Sequence, residues 1–450
     1  MATEASNPES QGWRFPATRP SLPEIHSSLH VPAGATFLRK LFSFAGPGFL
    51  VAVGYMDPGN WATDLAGGSK YNYRLLSVIM ISNFMAVLLQ RLAIKLGVAT
   101  GRDLAQACRN HFSRPASMAL WILAEVAIAA CDLAEVIGSA IALNLLFHIP
   151  LIVGVCLTAL DVLVILFLQQ KGFRFIEALV FTLIGTISIC FGLEIIFSRP
   201  SVLGILHGFF VPSPQIVFDS GMLYIAISIL GATVMPHNLY LHSAIVQSRN
   251  FERNSRGKRE AIKFCTIDST IALTIALFVN AAILIVSAAT FYRRGMTGVA
   301  EINDAYRLLT PLLGVTGAGT MFALALLASG QNSTLTGTLA GQVVMEGFLN
   351  IRLRPWLRRL ITRGLAIIPA VIVTAFWGER GTASLLVFSQ VILSMQLSFA
   401  VVPLVMFTSD GRKMGEFVNS RATVVLSWVV AGLIAVLNVW LLLQAAKMYL

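Results

Sequence analysis

The chain has 450 residues, 56% of them hydrophobic and 12% charged, with a mean hydropathy of +0.75. Soluble domains carry about twice that charged fraction, and apolar runs of about 20 residues recur along the chain, so a soluble globular protein is excluded and a polytopic helical membrane protein is predicted. The formal charge of +11 does not point to nucleic acid, because no platform of interleaved aromatic and basic residues accompanies it.

Residues 1–44 are polar and rich in Ser and Pro, without an early apolar core. They read as a flexible cytoplasmic tail with no packed core, not as a signal peptide. Residues 45–450 read as one transmembrane domain of eleven segments. These lie at about 45–66, 75–96, 118–146, 150–168, 176–197, 221–247, 265–291, 312–347, 362–378, 383–408 and 423–446. Outside the segments, 24 Lys and Arg fall on the side of the N-terminus and 8 on the other, with Arg91 inside the second segment. The positive-inside bias therefore puts the N-terminus in the cytoplasm and the C-terminus outside a plasma membrane, the bacterial inner membrane. The basic cluster from Arg249 to Lys263 follows from this topology, with contact to anionic lipid. Glu177, Glu194, Asp161 and Asp268 lie near segment ends or lack companions, and snorkelling or packing accounts for them. Five cysteines without a CxxC pair read as packing residues.

The first segment carries Gly54-Tyr55-Met56-Asp57-Pro58-Gly59-Asn60 in its middle. An ionisable residue at that depth is expensive and marks function. Pro58 lacks an N–H and Gly59 favours non-helical backbone, so the helix is predicted to open here. Opened carbonyls beside the Asp57 and Asn60 side chains suit a cation. The sixth segment carries a matching interruption, Gly231-Ala232-Thr233-Val234-Met235-Pro236-His237, where Pro236 frees the carbonyl of Ala232. Breaks five helices apart point to an inverted-repeat transporter, with repeats at about 45–197 and 221–408 and a site at mid-membrane between them. Asp57, Asn60 and the Ala232 carbonyl offer hard oxygen donors, while Met235 offers a thioether that Ca²⁺ and Mg²⁺ do not use. Such a mixed set fits Mn²⁺ or Fe²⁺ bound reversibly.

Glu125, Asp132 and Glu135 share the third segment. At about 100° per residue they occupy one side of the helix, as a proton relay into the bundle would require, with Arg358 and Arg359 as exit partners. His237 follows the second break and reads as a proton or gate residue. His242 lies about 140° further round, so the two do not form a zinc pair, and His242 reads as a hydrogen-bonded core residue.

At these residues the sequence resembles the Nramp (natural resistance-associated macrophage protein) family of proton-coupled divalent-metal transporters. The likeness rests on Asp57-Pro58-Gly59-Asn60, Asp132-Leu133-Ala134-Glu135, Met235-Pro236-His237, Ser329-Gly330-Gln331-Asn332-Ser333-Thr334 and Gly341-Gln342-Val343-Val344-Met345-Glu346-Gly347-Phe348. It runs from about residue 44 to the end. The resemblance implies an all-α LeuT-type fold of two inverted five-helix repeats with an eleventh helix added. It also implies metal ligation by Asp57, Asn60, the Ala232 carbonyl and Met235, joined on closing by Gln390 of the tenth segment. The metal is then cargo and no resident cofactor is expected. Protons and the lipid bilayer are the other partners, with neither nucleic acid nor an obligate protein partner.

A sodium-coupled organic-solute symporter of the same fold is the alternative. It fits less well, because Asp57 would repel a substrate carboxylate and Met235 would have no use. An intramembrane metalloenzyme needs three or four strong ligands around an open water position, and no HExxH or Gly-x-Ser-x-Gly pattern supplies them.

Overall fold

The computed structural model describes residues 12–16, 19–32, 34, 36–160, 172–351, 357, 361, 364, 367–372, 375–376 and 380–449. The helices are α1 (Phe37–Phe44), α2 (Pro47–Ala52), α3 (Pro58–Tyr71), α4 (Leu76–Thr100), α5 (Leu104–His111), α6 (Arg114–Phe147), α7 (Leu151–Leu157), α8 (Phe173–Ser198) and α9 (Val202–Phe210). They continue as α10 (Gln215–Phe218), α11 (Ser220–Thr233), α12 (Pro236–Ile245), α13 (Ser255–Thr290), α14 (Ile302–Leu313), α15 (Ala318–Leu349), α16 (Arg380–Ser409), α17 (Gly411–Met414) and α18 (Arg421–Tyr449). Among the described residues seven spans are long and apolar enough to cross a membrane, or eight if α1 and Pro47–Met56, bent by 44°, form one.

Most predicted segments fall on these helices. The first and sixth are each split in two, as α2–α3 and α11–α12. The fourth is described only to Leu160, and of the ninth only residues 364, 367–372 and 375–376 are described. The eighth begins later than expected, because Gly314 and Gly317 take positive φ (67° and 91°) and separate amphipathic α14 from α15. Long α6 and α15 form the most extensive helix pair in the bundle. Their approach depends on small residues. A methyl group at Gly330 would lie 2.2 Å from Ser139 Oγ, and one at Gly138 would lie 2.2 Å from the Pro58 ring of α3.

The N-terminal segment differs from expectation. Far from lacking packed contacts, residues 12–16 and 19–32 lie across one end of the bundle. Trp13, 2% exposed, sits beside Phe407 with the Arg102 and Lys413 cations 4.7 and 5.2 Å from its ring. Ser21 Oγ donates to Asp103 (2.7 Å), the Leu22 amide to Glu346 (2.9 Å), and Gln342 to Glu24 (3.0 Å). Leu29–His30 then pair in parallel with Arg249–Asn250. Composition misjudged this stretch because its few apolar residues are spaced to meet pockets of the bundle and do not form a core of their own.

At the same end, Arg249 is completely buried and pairs with Glu177 at 2.8 Å, and Arg174 reaches Glu177 from its other side at 2.9 Å. Arg249 also donates to the Ala45 carbonyl (2.5 Å), while Asp268 accepts from the amides of Gly46 (3.2 Å) and Gly48 (2.7 Å). Gly46 takes φ 135°, and a methyl group there would lie 2.2 Å from a Glu177 oxygen. Glu177 and Asp268 are thus partnered groups that anchor the start of α2. Snorkelling does not describe them, and Arg249 is no surface cation. Asp161 lies outside the described residues.

Candidate metal site

The predicted openings occur at the predicted residues. In the first span, α2 tightens into a 3₁₀ turn over Val53–Met56. Asp57 then leaves helical geometry (ψ 164°), and α3 restarts with Pro58 in its first position. Proline is tolerated there because its missing N–H would be unpaired anyway. The Asp57 side chain caps the new helix, accepting from the Asn60 amide at 2.8 Å. In the sixth span α11 ends at Thr233, Val234 and Met235 are non-helical, and α12 restarts at Pro236.

The two openings touch. Asn60 Nδ2 donates to Asp57 Oδ1 (2.6 Å) and to the Ala232 carbonyl (3.0 Å), so one amide group joins both breaks. Gln390 of α16 approaches the other Asp57 oxygen at 3.5 Å. Asp57, Asn60, Ala232, Met235 and Gln390 are all at most 1% exposed. Met235 caps the second opening, and its side chain lies with Ala127, Cys131 and Leu393. The closeness of α16 is visible at Gly59, where a methyl group would collide with the Gln390 amide. Among the described residues no three His, Cys, Asp or Glu side chains gather as a metal cluster. The oxygen donors at the openings are one carboxylate, amides and a peptide carbonyl. A cation entering here would replace the Asn60 donor that now occupies the Asp57 and Ala232 oxygens.

Asp132 and Glu135 of α6 are nearly buried (5% and 1% exposed) and both face Gly337 of α15, where a methyl group would lie 3.1 and 3.0 Å from their oxygens. Cys131 bridges the acids to the second opening, with its sulfur 3.5 Å from Glu135 and 3.8 Å from His237 Nε2. Glu125 is half-buried and accepts from Trp121 (3.1 Å). Arg358 and Arg359 lie outside the described residues. His242 does what was expected of it, binding Gln90 (2.8 Å), which in turn binds the Tyr55 hydroxyl (2.8 Å).

Three residues were given no role of their own in the sequence reading. Asn280 of α13 donates to the Tyr55 carbonyl (2.7 Å) and to Asn60 Oδ1 (3.3 Å), steadying the first opening from outside it. An amide in the seventh segment was its only trace. Ser329 of α15 holds the Met56 carbonyl at 2.5 Å. Asp64 is 1% exposed, with neither oxygen hydrogen-bonded among the described residues. Its spacing of seven from Asp57 was the available signal. Glu194 was assigned to a segment end, but it is fully buried and likewise without a hydrogen-bond partner there. Its position four residues before the end of α8 hid this, because neighbouring helices cover that end.

Comparison with known proteins agrees with this geometry. The family described as natural resistance-associated macrophage protein-like matches residues 48–444. A divalent metal cation transporter MntH from Listeria innocua is 64% identical over 442 residues, covering 98% of each chain. One from a Nostoc species is 65% identical over 430 residues, covering 96% of this chain and 97% of its own. The crystal structure of a manganese transporter from Eremococcus coleocola superposes with a TM-score of 0.87 at 44% identity, over 93% of this chain and 90% of that one. Mhp1, a nucleobase-cation-symport-1 transporter, shares the fold at 15% identity, with a TM-score of 0.61 over 90% of this chain and 92% of its own. The fold is therefore the LeuT type, and the chain belongs to the Nramp family.

Proposed function

We propose that this protein imports divalent transition-metal ions, Mn²⁺ and with it Fe²⁺ and Cd²⁺, into the cytoplasm together with protons, by alternating access. The observation that carries the reading is the Asn60 amide joining the Asp57 carboxylate to the Ala232 carbonyl, which puts hard donors from both openings within one hydrogen-bonded group. Met235 supplies the soft donor at the second opening, and Gln390 joins as the site closes. The relatives named as divalent metal or manganese transporters support this cargo. The charge bias of the loops supports a cytoplasmic N-terminus and an extracytoplasmic C-terminus.

A dication and a proton compete for the Asp57 carboxylate. On metal binding the proton passes towards Asp132 and Glu135, with the neighbouring His237 and Glu125 on the route and Arg358 and Arg359 as exit partners. Rocking of the half-helices then opens the site inward. Residues 12–16 and 19–32 are proposed to lie at the cytoplasmic mouth, with residues 45–450 as the transport domain. Uptake of radioactive Mn²⁺ into proteoliposomes tests the function. It should rise with an inward pH gradient, and no uptake in either condition would refute it.

Met235→Ala should lower Mn²⁺ and Cd²⁺ transport at least about tenfold and let Ca²⁺ compete better, because only oxygen donors remain. A competition assay with unchanged discrimination would remove the thioether from the site. Asp132→Asn should retain metal uptake while losing most of the accompanying proton flux. A pH-sensitive dye inside the liposomes reads this, and unaltered flux would exclude Asp132 from the relay.

A further inference from the structure

At the end of the bundle opposite the N-terminal segment, α8 and α13 finish side by side around a cavity of about 690 Å³. Arg199, Arg293 and Arg294 line it, together with Thr290 and an apolar wall that includes Ile196 and Leu312. Helix ends explain part of this chemistry. Arg294 donates to the Leu312 carbonyl at 2.7 Å, neutralising the terminus of α14. That contact does not explain the other two cations, which form no ion pair with a carboxylate among the described residues.

We propose that this cavity binds a phosphate group, held by the guanidinium groups of Arg199 and Arg293. Guanidinium matches phosphate oxygens bidentately. The cavity is far larger than a bare phosphate and has one apolar wall. It lies where two membrane-spanning helices end, at headgroup depth. These features suit a phosphodiester followed by the first methylenes of an acyl chain, as in an anionic phospholipid. Free inorganic phosphate shares the chemistry and is separated by experiment. The proposal needs the chain to span a membrane but is independent of what it transports.

The full-length protein is reconstituted in phosphatidylcholine containing a minor fraction of phosphatidylglycerol, and retained lipid is counted by native mass spectrometry. A second arm titrates inorganic phosphate into protein in phosphatidylcholine alone. Each of Arg199→Gln and Arg293→Gln should reduce retained phosphatidylglycerol about fivefold. The triple variant with Arg294→Gln should lose nearly all of it. Retention of the lipid without a response to inorganic phosphate supports a headgroup site, and a response to inorganic phosphate that the variants abolish supports a site for the free anion. Equal retention by the native protein and the single variants, with no response to inorganic phosphate, overturns the proposal. Monodisperse elution on size exclusion and the thermal unfolding midpoint of the same preparations report that they are folded. If the triple variant does not fold, the single variants decide.

Discussion

An Asp57→Asn protein is expected to fold normally and to move less than about a hundredth of the native manganese flux. Asparagine is as good a helix cap as aspartate, so the restart of α3 at Pro58 survives and the Asn60 amide keeps an acceptor. What disappears is the only formal charge in the proposed ligand set. A unit charge pair about 4 Å apart at an effective dielectric of about 20 is worth about 4 kcal/mol, or about a thousandfold in affinity, and a dication feels it twice. Direct binding measured by calorimetry should therefore be lost together with uptake, while thermal unfolding of the unloaded protein changes little. Manganese uptake at the native rate would remove Asp57 from the site. A large drop in stability would mean that its main work is structural.

The largest effect on stability is expected at Arg249. Truncation to Ala leaves Glu177 buried, with only the half-exposed Arg174 for a partner, and leaves the Ala45 carbonyl only the Arg174 donor at 3.1 Å. Breaking a buried pair from one side costs about 3–5 kcal/mol, because the remaining charge stays desolvated. The unfolding midpoint in detergent should fall by several degrees. Replacing both partners, as Arg249→Met with Glu177→Met, should recover much of that loss, since no unpaired charge remains. An unchanged midpoint for Arg249→Ala would show that solvent reaches Glu177. Failure of the double variant to recover would assign the effect to the Ala45 and Gly46 backbone.

The two openings were legible in the sequence because their cause is local. Pro58 and Pro236 cannot donate to the preceding turn, and a proline in a membrane helix announces that defect wherever the chain folds. Met235 and the Asp132–Glu135 pair were legible for a similar reason, since chemistry of that kind is conspicuous against hydrocarbon. Asn280 and Ser329 were not. Neither shows a role until the seventh and eighth spans are laid against the first, and only then do their side chains reach the carbonyls of Tyr55 and Met56. Gln390 came from the family resemblance alone, for the same reason. Arg249 and Glu177 were misread because distance from a segment end was taken for distance from water, whereas the ends of this bundle are covered by other parts of the chain. Trp13 shows the limit of composition: one aromatic ring between two cations holds a stretch whose average character is that of a tail.

That stretch also sets a mechanical condition. Residues 12–16 and 19–32 are fastened to the start of α5 through Asp103, to the last turns of α15 through Gln342 and Glu346, and to the strand at Arg249–Asn250. Trp13 adds the junction of α16 and α17 through Phe407 and Lys413. Hydrogen bonds of this length tolerate less than about 1 Å of relative slip. The four anchorages must therefore ride together as a single rigid body through every turnover, or the ribbon must peel off each time one of them swings.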